Sequence, residues 1–325
     1  MRPLHSIQKY NNQQKSNNVL FVDGITRSGK FWLGNLLIHF DRMEHIQHHP
    51  AMDVCVHMNR LGMINDKAAA VMLRNEAQSH VYEMAIGRNI NFRAADSSSV
   101  YKNPNFQTYL QRVAGKDVVF REVMAAIQSG DRIFLFIVHD WLCNAGLCFQ
   151  AFVQPKVISI ERNPIDLVYA WYKKGLGDRR AFSACLENKN GPLPWFVYKW
   201  IDEYESLNEM DRIIKSIAGL RGMAEEAFKN LPSGGKKRII FTSYEAFAVQ
   251  PRIEAEKIGN FLGTKLMATA ESFFSQPIFK QRNKDSLIKS RKKKASEIKK
   301  QASRVCFSLL SDLNKQYVKS GFDAE

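Results

Sequence analysis

The stretch Val19-Leu20-Phe21-Val22-Asp23-Gly24-Ile25-Thr26-Arg27-Ser28-Gly29-Lys30-Phe31 decides how the rest of the chain is read. Its first five residues form an apolar run of strand length, and a helix is expected from about Lys30, with Leu33, Leu36 and Leu37 on its buried face. Between strand and helix the spacing is G-x-x-x-x-G-K, in the context that makes a phosphate loop credible. Glycines let backbone N–H groups curl round an anion, and the helix N-terminus adds its positive dipole end. The residue after the lysine is Phe31, where a nucleotide triphosphatase needs Ser or Thr to hold Mg²⁺. The loop therefore reads as built for a phosphate but not for a phosphate with magnesium.

Working outward, two further apolar runs of strand length stand at Ile133–Val138 and Lys156–Glu161, and a shorter one at Arg238–Thr242. Such continuous runs belong to strands buried on both faces. Helices are expected over Lys67–Ala85 and Val118–Gln128, after Pro164, and between Pro251 and Gly263. A long helix is expected after Pro194, where Phe196, Trp200, Tyr204 and Leu207 recur at helical spacing as a core stripe. Strands alternating with helices imply an α/β fold of three layers, P-loop-like, with a mainly parallel central sheet flanked by helices. Residues 1–18 read as a polar flexible tail. Residues 19–325 read as one domain, with a helical insertion at about 40–130 and a basic segment at 280–304.

The 325 residues carry 47 Lys and Arg against 32 Asp and Glu, a net charge of +15, which calls for anionic partners. The run from Lys280 to Arg304 holds 11 of those cations against Asp285 and Glu297. It is read either as a solvated surface or as an arm closing over an anion; without interleaved aromatics, nucleic acid is not expected. Five scattered cysteines, with no CxxC, give neither a zinc framework nor a disulfide scaffold, and reduced thiols in a cytoplasm are the simplest reading. No secretory signal or membrane-spanning run is visible, so no membrane partner is expected.

A second motif follows the Lys156–Glu161 run: Ile158-Ser159-Ile160-Glu161-Arg162-Asn163-Pro164-Ile165-Asp166. Together, Arg27-Ser28-Gly29-Lys30-Phe31-Trp32-Leu33 and this strand-R-N-P-x-D unit resemble the 5′-phosphosulfate loop and the 3′-phosphate motif of the sulfotransferases. The resemblance implies 3′-phosphoadenosine 5′-phosphosulfate (PAPS) as donor, adenosine 3′,5′-bisphosphate (PAP) as product, and no metal. It assigns Arg27, Ser28, Gly29, Lys30, Phe31 and Trp32 to the 5′ end of the donor and Arg162 to its 3′-phosphate, a task suited to a bidentate guanidinium. Tyr244, in Ser243-Tyr244-Glu245, is similar to the tyrosine that meets the adenine, and Gly191-Pro192-Leu193-Pro194-Trp195-Phe196 resembles the family's mid-chain region. This sequence departs from the pattern at Lys30 and Phe31, where small hydroxyl residues are usual, and at Ala170, where the family has a phosphate-binding serine. A residue of the Lys280–Arg304 segment is a candidate to replace it, and Lys280, Arg282 and Lys284 are candidates for the family's basic 3′-phosphate loop.

Sulfuryl transfer needs a base for the acceptor hydroxyl or amine, and histidine suits neutral pH. His139, at the C-terminal end of the Ile133–Val138 run, is the first candidate, with Arg27 offsetting transition-state charge. The zone Glu44, His45, His48 and His49 is the rival, and a metal site is a weaker reading of its histidines. A P-loop kinase, with Asp140 as its acid, and a non-catalytic sulfotransferase-like binding module remain as alternatives. The acceptor, a small molecule or a glycan, is expected to be shaped by residues 40–130 and 173–195, which include Arg60, Arg74, Arg88 and Arg93.

Overall fold

The structure, a computed structural model, describes residues 18–115, 119–178, 185–277 and 283–322. Four strands, β1 (Asn18–Asp23), β2 (Ile133–Ile137), β3 (Lys156–Glu161) and β6 (Ile239–Ser243), lie in the order β2-β1-β3-β6. Every pairing among them is parallel. Asn18, placed in the tail by the sequence, already pairs with Ile133 as the first residue of β1. A separate two-stranded ribbon, β4 (Cys185–Leu186) and β5 (Leu193–Pro194), is antiparallel.

Side chains alternate across a strand, so one run feeds two cores. Val19 and Phe21 of β1 join Phe134, Phe136 and Val157 in a cluster with Leu73 and Val81 of helix Asp66–Ala85 and Leu147 of helix Ala145–Ala151. Leu20 and Val22 point the other way, with Leu135, Ile137, Ile158 and Ile160, onto Leu33, Leu36 and Leu37 of helix Lys30–Leu37 and Ile258 of helix Pro251–Leu262. This produces the three layers expected of the sequence. A third cluster joins helices Pro164–Tyr172, Glu209–Lys229 and Arg304–Lys319 around Trp171, Trp195 and Tyr204.

The region 40–130 is helical, with helices Pro50–Arg60, Asp66–Ala85, Phe106–Val113 and Phe120–Ser129. It opens differently, on a fringe of extended chain beside β2. The N–H of Glu44 donates to the Ile133 carbonyl and that of Gln47 to the Leu135 carbonyl, each at 2.9 Å, while Ile137 N–H returns to the Gln47 carbonyl at 2.8 Å. This fringe covers one edge of the sheet and carries the chain to His48 beside the end of β2.

The single long helix expected after Pro194 does not form. A 3₁₀ turn over Trp195–Val197 and a short helix Ile201–Ser206 precede the long helix Glu209–Lys229. Asn208 sets the break: its side chain accepts from Asp211 N–H at 3.0 Å, an N-cap that starts a new helix. Phe196 and Tyr204 are nevertheless buried, as a core stripe requires.

Candidate functional site

In a parallel sheet all C-terminal strand ends share one edge, and ligands bind there. The loop 24–29 follows β1, His139 and Asp140 follow β2, Arg162 follows β3, and Tyr244 follows β6. The sequence-assigned residues are thus brought to one edge by four strands from distant parts of the chain.

The loop geometry depends on two glycines. Gly24 has φ 147° and a Cβ there would stand 2.5 Å from the Ile160 carbonyl oxygen. Gly29, at φ 112°, is the N-cap of helix Lys30–Leu37, and a Cβ there would meet Cδ2 of Tyr244 at 2.8 Å. Both conformations favour glycine. Trp171 Nε1–H donates to the Thr26 carbonyl at 2.7 Å and ties the loop to helix Pro164–Tyr172. The first-turn N–H groups of the helix have no intrahelical acceptors and face the loop. Ser28 is buried, and its Oγ has no hydrogen-bond partner, as a donor meant for an anion would be.

The two cations of the loop sit differently. Arg27 is exposed, with φ 73°. Lys30 is buried, and its Nζ turns back to the Gly24 carbonyl among the charges of Asp140, Asp23 and Asp53. Burial pushes the lysine pKa down against those carboxylates. Burial likewise pushes the Asp23 and Asp140 carboxyls up. Lys30 is therefore a buried counter-charge that props the loop from beneath, where the sequence had placed it facing the donor. Asp140 Oδ1 has no partner and lines a cavity of about 80 Å³ between the sheet and helix Glu209–Lys229. Phe31 is accommodated by an edge-on contact with His48, ring centroids 5.6 Å apart, and Trp32 packs on Tyr244 at 5.2 Å.

Arg162 joins the strand ends. Its Nη1–H donates to the Arg27 carbonyl at 2.7 Å, and its guanidinium lies over the Tyr244 ring, 4.7 Å from the centroid. Its Nε is buried without a partner. The stack holds the guanidinium against the loop that Tyr244 also supports through Gly29. Ala170 lies on helix Pro164–Tyr172.

His139 has a partner that the sequence did not reveal. Its Nδ1–H donates to Asp53 Oδ2 at 2.9 Å, and its backbone N–H donates to Asp53 Oδ1 at 2.9 Å. Trp141 Nε1–H adds a third bond to Asp53 Oδ1 at 2.8 Å. Burial would push the Asp53 carboxyl up, but the His139 hydrogen bonds and charge outweigh it and hold it below its usual value. The ionised carboxylate fixes the imidazole with the proton on Nδ1 and the lone pair on Nε2. Burial, helped by the Lys30 charge, pushes His139 down to about 4 against the pull of Asp53. Beneath it, His57 Nε2 lies 3.1 Å from the His139 carbonyl, and its ring stacks on Trp195 at 4.1 Å.

The rival zone divides. Glu44 is 4% exposed and accepts hydrogen bonds from Tyr109 OH at 2.8 Å, from both terminal nitrogens of Arg112 at 2.9 Å, and from Arg132 at 2.5 Å. Its oxygens are committed to that cluster, which fastens helix Phe106–Val113 to the fringe. His45 is buried against Tyr109. His48 alone reaches the site, its ring 4.9 Å from that of His139. His48, Asp53 and His139 have donor atoms within 4.8 Å of one another, as do His49, Glu76 and His80.

The basic C-terminal run is not simply solvated. Helix Lys284–Lys299 docks on helix Pro164–Tyr172: Arg291 Nε–H donates to Asp166 Oδ2 at 3.0 Å, Lys294 pairs with Asp166 Oδ1, and Tyr169 OH donates to Glu297 at 3.0 Å. Lys284 is exposed; Lys280 and Arg282 lie outside the described residues. Of the basic residues assigned to an acceptor pocket, Arg74 bonds to the Ala151 carbonyl and Arg93 pairs with Asp96. Among the described residues no helix is long and apolar enough to cross a membrane.

No protein-family model matches the chain, and no curated protein does. Solved structures do. The sulfotransferase domain of the olefin synthase of Synechococcus PCC 7002 is 11% identical, with a TM-score of 0.46 over 94% of this chain and 96% of that one. The sulfotransferase domain from the curacin biosynthetic pathway is 11% identical, with a TM-score of 0.43 over 79% and 77%. A mouse sulfotransferase complexed with PAP is 13% identical, with a TM-score of 0.35 over 86% and 70%.

Proposed function

We propose that this protein is a sulfotransferase that moves a sulfuryl group from PAPS to a hydroxyl or amine of a small molecule or glycan. The observation that carries the proposal is the joining of two motifs at one sheet edge: a phosphate loop without a magnesium ligand and an arginine stacked on Tyr244 against it, with the His139–Asp53 pair at the neighbouring strand end. The orphaned Ser28 Oγ and Arg162 Nε fit a doubly phosphorylated ligand.

In this reading the loop N–H groups and Ser28 hold the 5′ end of the donor, and Arg162 takes its 3′-phosphate. His139 Nε2 accepts the acceptor proton as the acceptor oxygen or nitrogen bonds to sulfur. The S–O bond to the 5′-phosphate breaks, and its electron pair stays on the phosphate. Arg27 at the loop surface, the loop N–H groups and the Lys30 charge beneath offset that growing negative charge, in a preorganised setting that needs no reorganisation during transfer. Asp53 keeps the base in its accepting tautomer and, as a positioning residue, touches no reactant.

Two measurements test this. PAP without metal is expected to raise the melting temperature, and labelled sulfate from PAPS is expected to reach an acceptor in a screen of phenols, alcohols, amines and glycans. Stabilisation by Mg·ATP but not by PAP would replace the proposal with the kinase reading. Tight PAP binding with no transfer to any acceptor would favour the binding module.

Arg162→Ala is expected to weaken PAP binding by about 10–150-fold, the loss of charge-assisted hydrogen bonds of ~1.5–3 kcal/mol. Calorimetric titration checks it. Arg162→Lys should recover little, because an ammonium reproduces neither the fork nor the stack on Tyr244. An unchanged affinity in Arg162→Ala would remove the 3′-phosphate assignment.

A further inference from the structure

We propose that His49, Glu76 and His80 form a binding site for a divalent transition-metal ion, zinc being the best chemical match, outside the phosphate-loop edge. Glu76 and His80 are four residues apart on helix Asp66–Ala85, so both side chains stand on one face of it. His49, at the N-cap of helix Pro50–Arg60, comes to them from another part of the chain. The His49 and His80 rings lie face to face, 14° from parallel with centroids 3.0 Å apart. One donor atom from each of the three residues lies within 4.8 Å of the others. Tetrahedral zinc with bonds of about 2.0–2.1 Å needs donors roughly 3.4 Å apart, so small side-chain rotations close the site.

Three observations support a ligand rather than mere packing. His80 is 7% exposed, and its Nδ1 is buried with no hydrogen-bond partner. Glu76 Oε1 lies 2.9 Å from the other ring nitrogen, Nε2, so an ion shared with Glu76 takes Nε2, and Glu83 Oε2, 3.6 Å from Nδ1, is the outer contact that orients the ring. Gln47 Oε1, 3.1 Å from His49 Nε2, holds the second ring, while the Gln47 amide nitrogen donates to Met84 Sδ at 3.2 Å. Two imidazoles and a carboxylate with no thiolate suit zinc better than soft or all-oxygen metals. The other grouping, His48, Asp53 and His139, is set aside because both Asp53 oxygens already hold His139 and Trp141.

Such an ion would clamp the end of the fringe to helix Asp66–Ala85. Through His48, next in sequence to His49, it would fix the wall packed against Phe31 and His139.

The test is calorimetric titration of the chelator-treated full chain with Zn²⁺, followed by absorption of the Co²⁺-loaded protein. Uptake of about one ion per chain and a tetrahedral cobalt spectrum are expected. Glu76→Gln and His80→Ala, checked for native circular dichroism, should each weaken zinc binding by more than the ~10–100-fold that outer contacts carry. His139→Ala should bind zinc like the unaltered protein. No zinc uptake by the unaltered chain, or undiminished uptake by a folded Glu76→Gln, would overturn the site. Loss of binding in His139→Ala would overturn it too, by moving the metal to the other grouping. PAP binding, measured separately, keeps this outcome distinct from that of the proposed transfer.

Discussion

Replacing His139 by alanine is expected to lower turnover of sulfuryl transfer by about 10²–10⁴-fold, the usual contribution of a general base, with PAP affinity nearly unchanged. Asp53→Asn should reach a similar loss by a different route. The amide keeps the shape but not the charge, so the imidazole is no longer held with its proton on Nδ1 and its lone pair on Nε2. The pH profile separates the two roles. His139 is held at about 4 by burial and by Lys30, so its imidazole is neutral across the neutral range in the free protein. The acid limb of kcat/KM, which reports the free enzyme, is therefore expected near that value and not near the ordinary ~6.5 of histidine. Bound donor brings negative charge towards Lys30, so the limb of kcat should lie at higher pH than that of kcat/KM. In Asp53→Asn the group that raises the imidazole pKa is gone, so the limb should move further down. Full activity in His139→Ala would transfer the base role to His48.

Glu44→Ala carries the largest expected effect on stability. The carboxylate is buried and accepts from Tyr109, Arg112 and Arg132, and Arg112 is itself largely buried, with 13% of its side chain exposed. Removing one partner of a buried pair leaves an uncompensated charge and costs about 3–5 kcal/mol. Urea denaturation reads this directly. Burial alone would push the Glu44 carboxyl up, but Arg112, Tyr109 and Arg132 outweigh it and hold it below its ordinary value. A folded pKa below the unfolded one stabilises the protein above the unfolded value of ~4.3, and that stabilisation is lost as pH falls through the folded value. The difference between Glu44→Ala and the unaltered protein should therefore be full at pH 7 and shrink in acid. Turnover of the folded variant should stay within about tenfold, since Glu44 touches no reactant; a loss in the range of ~10²–10⁴, expected of a general base, would restore Glu44 as the base.

The sheet and the glycine-bounded loop after β1 were legible because their signals are local. A strand buried on both faces writes itself as an unbroken apolar run, and Gly24 to Lys30 carries its constraint in consecutive residues. The positions of Arg162 and His139 at one sheet edge were legible because each follows an apolar run closely. Asp53 could not be found that way. An acid in the first turn of a helix reads as a complement to the helix dipole, and nothing nearby announces a histidine 86 positions on. Glu44 was read as a rival base for the same reason: its partners Tyr109, Arg112 and Arg132 lie 65 to 88 residues away. The helix expected after Pro194 failed on a competition between signals. The aromatic spacing ran on to Leu207, but the chain leaves helical geometry at Trp200 and again at Leu207, and the Asn208 cap starts a new helix.

The docking of helix Lys284–Lys299 on Asp166 makes the chain indivisible in a practical sense. Asp166 stands two positions after Pro164 in the strand-R-N-P-x-D unit, and it is 5% exposed because Arg291 and Lys294 cover it. A chain cut ahead of Lys284 would therefore leave a bare carboxylate in the first turn of helix Pro164–Tyr172, four residues after Arg162. Shortened versions of this protein would not be smaller copies of it: helix Lys284–Lys299 supplies the counter-charges that helix Pro164–Tyr172 is built around.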